Sequence, residues 1–171
     1  LSYDEEVGCV GARHLAKAMT AAGLKPSAVI VGEPSMMQVV TGHKGGTGYN
    51  VHVKGYEVHS SLLPEGVSAV MEAARLIGWV NDHNDEIQSR PRGAVGARFH
   101  PPFTTLHVGR IQGGTADNIT AGDCRFAVEM RCVPDDDAEA HAGAFRAEAM
   151  RLDAALKARR PEAGVHLAKF F

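Results

Sequence analysis

Two short acidic motifs, Asp4-Glu5-Glu6 and Gly32-Glu33-Pro34, bring three glutamates into the first stretch of a 171-residue chain. Neighbouring side chains on an extended backbone point to opposite sides. Glu5 and Glu6 are therefore expected to divide their work, one binding a metal ion while the other reaches a bound water or the substrate. Metal-assisted amide hydrolysis requires this division: the ion lowers the pKa of its water towards ~7, and a positioned carboxylate takes the proton. Taken alone, an Asp-Glu-Glu run is most often a solvated surface turn or an acidic helix start. Gly-Glu-Pro alone is no more specific.

The elements around these motifs make a common site plausible. Leu1 to Tyr3 reads as a strand end, about Val7 to Ala22 as a helix stopped by Gly23, and Ala28-Val29-Ile30-Val31 as a buried strand. Glu5, Glu6 and Glu33 then all lie just past the carboxyl ends of strands, where α/β sheets gather ligands. Gly45, Gly46 and Gly48 mark a change of pattern. Tyr49, Val51 and Val53 alternate with polar residues as a half-buried strand. Val67, Val70, Met71, Ala74 and Ile77 recur at helical spacing, which predicts an amphipathic helix from residue 66 to about 88. Pro91 to Pro102 form a loop, Leu106 and Val108 open a strand, and Cys124 to Cys132 alternate as another. Ala138, Ala142, Phe145, Ala149, Leu152 and Leu156 step as a second helix, and Val165 to Phe171 close the series as a short strand.

The resulting β-α-β-β-α-β order predicts an α+β, ferredoxin-like layer: a four-stranded antiparallel sheet with both helices on one face. The expected division is 1–43 as part of an α/β domain and 44–171 as the layer. Such a layer leaves its other face and an edge open, which suits a lid or an association surface.

Composition narrows the function classes. Net charge is -2 with acids and bases interspersed, so no basic field draws in nucleic acid or anionic lipid. The one dense basic run, Lys157-Ala158-Arg159-Arg160, falls where a helix end welcomes positive charge. Three cysteines without tight spacing fit a reducing compartment, with Cys124 and Cys132 packed as small apolar groups. No run approaches the roughly 20 apolar residues of a membrane span. A cytoplasmic location is expected. The opening Leu-Ser-Tyr, without Met, reads as the middle of a longer chain.

Taken in order, Asp4-Glu5-Glu6, Gly32-Glu33-Pro34, Tyr56-Glu57-Val58-His59-Ser60-Ser61, Gly113-Gly114-Thr115-Ala116-Asp117-Asn118 and Met130-Arg131 resemble the dinuclear-zinc amidohydrolase and metallopeptidase superfamily. Its members include acetylornithine deacetylases, succinyl-diaminopimelate desuccinylases, aminoacylases and glutamate carboxypeptidases. Ser2 to Cys9 and Val31 to Gly45 look most like the acetylornithine deacetylases. The resemblance implies a lid and dimerisation domain attached to part of a catalytic domain. It implies hydrolysis of an N-acyl amino acid, N-acetylornithine foremost, in arginine biosynthesis, by a homodimer that holds two zinc ions, or cobalt in their place. It makes Glu5 the general base, Glu6 a ligand of one metal and Glu33 a ligand of the other. His59 is implied to reach the oxyanion from the partner subunit, and Asn118 and Arg131 to contact substrate, Arg131 as a planar fork on a carboxylate. Each has a plainer reading: His59 can cap a loop, and Arg131 can be a solvated ion pair. His43 and Lys44 can shape the junction between the domains.

Departures from the family pattern are Ser35 for Thr, Ser68 for Asn, and Thr120-Ala121 where Pro often follows Asn-Ile. The family's upstream His-X-Asp motif and late metal-binding His have no counterpart in this sequence. A catalytic zinc takes about three protein ligands, and this chain offers one for each ion. The expectation is that it neither holds the two-metal centre nor hydrolyses substrate alone. An association module without catalysis, and other N-acyl specificities, remain open.

Overall fold

The structure, a computed structural model, describes residues 3–170. The chain divides into two compact units, Leu1–Thr41 and Gly42–Phe171.

The first unit contains one regular element, helix α1 (Val10–Ala21). It starts later than its sequence pattern predicts because Gly8 and Cys9 have positive φ, 99° and 56°, which no right-handed helix accommodates. It ends as predicted at Gly23, where φ is +68°. There Gly23 N–H donates to Thr20 O and Leu24 N–H to Met19 O, a Schellman cap. The expected buried strand at 28–31 does not form: Val29, Ile30 and Val31 are 73%, 95% and 73% exposed. A strand of that composition needs neighbours on both faces, and the described residues of this unit supply only a helix. The proposed strand end at Leu1 to Tyr3 lies mostly outside the described residues.

The second unit has the split order predicted from sequence: β1 (Gly45–Lys54), α2 (Ala69–Ser89), β2 (Thr105–Gly113), β3 (Asp123–Cys132), α3 (Ala138–Arg159) and β4 (Gly164–Lys169). The strands lie in the order β2-β3-β1-β4, every neighbour antiparallel. Period-two alternation sends Tyr49, Val51 and Val53 of β1 and Cys124, Phe126, Val128, Met130 and Cys132 of β3 into one core with Leu76 of α2 and Phe145 of α3. Asn50, Lys54, Arg125 and Arg131 fall on the opposite parity and are exposed.

Helix α2 corrects one detail. Its buried stripe is Ala69, Glu72, Ala73, Leu76, Val80, His83 and Ile87, whereas Val70 and Met71, two of the five residues whose spacing predicts the helix, are 38% and 57% exposed. The small alanines let the helix sit close to the sheet, and the bulkier apolar residues are left outside. Helix α3 buries its predicted stripe and is capped by Asp137, whose carboxylate accepts from Glu139 and Ala140 N–H. Both sheet edges carry a side-chain cap. Asn84 bonds both main-chain groups of Leu106 at 2.8 Å, and Asp153 accepts from Val165 N–H at 2.8 Å.

Candidate functional site

His59 and Asn118, distant in sequence, meet at one end of the layer. β1 ends at Lys54 and β3 begins at Asp123, so the segments following one strand and preceding the other lie side by side. An antiparallel bridge joins His59 to Ile119, and Ser60 N–H donates to Asn118 O at 2.8 Å. Thr120 sews the two segments together: its hydroxyl accepts from Val58 N–H at 2.8 Å and donates to Tyr56 O at 2.9 Å, while its own N–H bonds Val58 O. Proline at this position would have no N–H and no hydroxyl. The departure Thr120 is thus a structural fastening, 5% exposed.

His59 does cap a loop, and the cap orients its ring. It is the N-cap of a short 3₁₀ turn, Ser60–Glu65, with Nδ1 accepting from Ser61 N–H at 3.3 Å. Ser61 Oγ lies 2.8 Å from the same nitrogen. An Nδ1 that accepts leaves the neutral ring's proton on Nε2. The exposed imidazole therefore offers an N–H donor from a fixed base. Asn118 is also exposed, and its main-chain oxygen is tied to this donor's loop through Ser60 N–H.

Two arginines of the basic run hold this end in place. Arg160 donates from Nε and an Nη to Glu65 O at 2.9 and 2.6 Å and stacks 4.5 Å above the Tyr56 ring. Arg159 pairs with buried Glu72 at 2.9 Å and bonds Gly66 O. From spacing alone these charges are complements of the helix dipole. What they do is pin the turn that follows His59. A neighbouring recess of about 380 Å³ is lined by Ser68, Val70, Gly113, Thr115, Asp117 and Ile119 among others.

Arg131 is elsewhere. It sits near the far end of β3, between Gly46 of β1 and Thr105 of β2, and is paired along its own strand with Glu129. Eight residues of strand separate it from Asp123, roughly 27 Å at a rise of about 3.4 Å per residue. One substrate the size of an amino acid cannot touch His59, Asn118 and Arg131 of the same chain. Lys44, near the Arg131 end, donates to Phe103 O at 2.7 Å; burial, eased by the Cys132 thiol, lowers its pKa. His43 Nδ1 lies 2.9 Å from Lys44 O. Cys124 and Cys132 are buried free thiols whose pKa values burial raises, so they pack rather than react.

The three glutamates of the first unit are exposed. Glu5 O accepts from Gly8 and Cys9 N–H at 3.0 Å, which places Glu5 and Glu6 at a tight turn before α1. Glu33 N–H bonds Val31 O at 3.0 Å in an irregular segment. Among the described residues no group of three or more His, Cys, Asp or Glu side chains could hold a metal ion. The residues present do not fit a two-zinc centre.

Comparison with known proteins gives a consistent family. Residues 41–156 match the peptidase dimerisation domain. Over 135 residues the chain is 40% identical to an acetylornithine deacetylase of Myxococcus xanthus, an alignment covering 78% of this chain and 34% of that protein. The chain thus spans about a third of the length of that relative. A solved putative amidohydrolase/peptidase from Burkholderia cenocepacia is 26% identical with a TM-score of 0.55, over 75% of this chain and 28% of the other. An aminopeptidase, PepT, from Bacillus cereus shares the fold at 21% identity and a TM-score of 0.51, over 75% of this chain and 31% of its own. No helix among the described residues is long and apolar enough to cross a membrane.

Proposed function

Because the chain belongs to the peptidase dimerisation domain family, we propose that it is the lid and association portion, with a strip of catalytic domain, of a homodimeric hydrolase that cleaves N-acyl amino acids. N-acetylornithine is the favoured substrate, supported by the 40% identity to an acetylornithine deacetylase, and arginine biosynthesis in the cytoplasm is the corresponding setting. The isolated chain is inactive in this reading, since its carboxylates build no metal centre. The exposed apolar run at Val29, Ile30, Val31, Met36, Met37, Val39 and Val40 fits a strip whose cover lies in the longer protein.

The observation that carries the reading is the split of the lid's polar residues between its two ends. His59 and Asn118 are joined at one end, while Arg131 lies a strand's length away. A site using all three is completed only by a second copy, with His59 and Asn118 from one subunit and Arg131 from the other. His59 Nε2–H then donates to the oxygen that gains charge as the amide is attacked, a contribution of about 3 to 4 kcal/mol if it resembles other oxyanion donors. Arg131 leaves Glu129 to clasp the substrate carboxylate. Glu5 accepts a proton from the attacking water and returns it to the leaving amine.

The dimer surface that fits best is the β2 edge beyond Asn84's cap on Leu106. There Gly109 to Gly113 are exposed, Ile111 at 48% among them, and Val70 of α2 borders the same recess as Gly113 and Ile119.

The test is subunit mixing in the full-length protein. His59→Ala and Glu5→Gln variants are each expected to lose activity on N-acetylornithine, and refolding them together should restore it, because a mixed dimer contains one intact site. Failure of the mixture to recover activity, with dimers present, would remove His59 from a shared site.

A further inference from the structure

The seam between α2 and α3 contains a polar chain that the proposed chemistry does not use. His83 and His141 are 9% and 3% exposed. His83 Nε2 lies 3.0 Å from His141 Nδ1, and His141 Nε2 lies 2.9 Å from Asp136 Oδ2 in the β3–α3 connection. At the other end His83 Nδ1 faces Glu86 Oε2 at 3.3 Å, and Glu86 is paired with Arg90 at 2.6 Å. Trp79 stacks on the His83 ring, centroids 4.6 Å apart. The charged and titratable groups facing the pair are thus Glu86 and Arg90 of α2, His141 of α3, and Asp136, which also bonds the Thr104 hydroxyl. Asp135 and Asp137 flank Asp136, but their carboxylates accept main-chain N–H groups of Val95 and Gly96 and of Glu139 and Ala140.

The positions of the protons follow from what each atom can do. An ionised Asp136 only accepts, so His141 must carry its proton on Nε2. Its Nδ1 is then a lone pair, which requires a proton on His83 Nε2. That leaves His83 Nδ1 as a second lone pair opposite the Glu86 carboxylate, two acceptors across one gap. The chain has one empty proton position, and it lies at the Glu86 end.

We propose that Glu86, His83, His141 and Asp136 form a proton-linked latch between α2 and α3, closed with both imidazoles neutral and loosened when His83 takes a proton. Filling the empty position puts an imidazolium into the helix seam. Burial first, then His141 and Arg90, hold the His83 pKa below the ordinary histidine value against the pull of Glu86. The folded latch therefore binds that proton less readily than the unfolded chain does. Between the two pKa values the unfolded state carries more protons, so stability rises with pH, is complete above about 6.5, and is lost as pH falls below it. Asn84, the next residue of α2, holds the edge strand at Leu106, so a shift of α2 at His83 passes to the β2 edge.

Imidazole nitrogen NMR on the 171-residue chain tests this directly. Both rings should be Nε2–H tautomers at neutral pH, and His83 should titrate below free histidine. Asp136→Asn supplies an N–H donor to His141 Nε2 and should reverse the chain: both rings become Nδ1–H, with His83 donating to Glu86. His83→Gln, which cannot take the proton, should flatten the fall of melting temperature as pH drops below about 6.5, the ordinary histidine value. A wild-type His83 that carries its proton on Nδ1, or titrates at or above free histidine, overturns the latch. So does a folded His83→Gln variant with the wild-type pH slope. If that variant does not fold, the wild-type tautomers and titration decide.

Discussion

Ala28-Val29-Ile30-Val31 in the first unit and Val51-His52-Val53 in the second are both short runs rich in β-branched residues, yet Ile30 is 95% exposed and Val53 is 0%. Val53 lies on β1, flanked by β3 and β4 and covered by two helices. Ile30 shares its unit with one described helix, in which only Gly11 is buried. The apolar run states a demand for cover, and the rest of the unit determines whether the demand is met. The two units therefore differ in how much a side chain's removal can matter.

The largest expected contrast is Phe145→Ala against Ile30→Ala. Phe145 is 0% exposed, stacks near Tyr49 with centroids 6.0 Å apart and meets Trp79 at 5.8 Å, so its truncation should destabilise the second unit by about 3 to 5 kcal/mol. Ile30→Ala should stay within about 0.5 kcal/mol. Urea unfolding followed at Trp79 for the second unit and by far-ultraviolet circular dichroism, to which α1 also contributes, reads both, and similar losses for the two would dissolve the contrast.

Next in size is Arg159→Ala. It strips one of two partners from Glu72, which is 4% exposed and keeps the exposed Arg75, whose Nε lies 3.3 Å from its other oxygen. Breaking a fully buried pair costs about 3 to 5 kcal/mol, but Arg159 is 46% exposed, so about 2 kcal/mol is the expected loss. Adding Glu72→Gln to Arg159→Ala should recover part of it, since a buried charge left with only the exposed Arg75 is then gone. A double variant less stable than the single one by a further full increment would show that the two residues do not act as a pair.

Smaller still is the α3 cap. Asp137→Ala removes the acceptor of two N–H groups and should cost about 1 kcal/mol, read from the same unfolding curves. Asp137→Ser keeps an acceptor and should restore most of the loss.

The units also differ in how far their sequences could be read. The alternation of Cys124 to Cys132 and the stripe from Ala142 to Leu156 predict β3 and α3 closely, because each has only one apolar face to bury. On α2 two apolar stripes compete. Val70 and Met71 lose to Ala69, Ala73 and Leu76 because closeness to the sheet, which spacing alone does not encode, decides which stripe is covered. The residues of the proposed site stand out in the sequence by type and motif, but their grouping does not. His59 and Asn118 are joined through Thr120, whose hydroxyl and N–H bonds have no sequence signature beyond its departure from the family's proline. Arg160 was hidden in a basic run with a sufficient local explanation. The separation of Arg131 from Asn118 follows from the predicted strand at Cys124 to Cys132, which has Asn118 before its start and Arg131 at its far end.

The last prediction concerns a response close to zero. A group that binds only the folded chain raises its stability in proportion to the logarithm of ligand over dissociation constant, about 2.7 kcal/mol at a hundredfold excess. Zinc should give this chain no such gain, because Glu5, Glu6 and Glu33 are exposed carboxylates in separate irregular segments and no triad of ligands forms among the described residues. The Phe145-centred core of the second unit is likewise independent of any ion. Thermal unfolding with and without excess zinc should therefore superimpose, and exhaustive chelation should leave the transition where it was. A zinc-dependent rise that Glu33→Gln abolishes would mean that the first unit assembles a metal site in solution, and the contrast between a covered and an uncovered unit would then apply only to the metal-free chain.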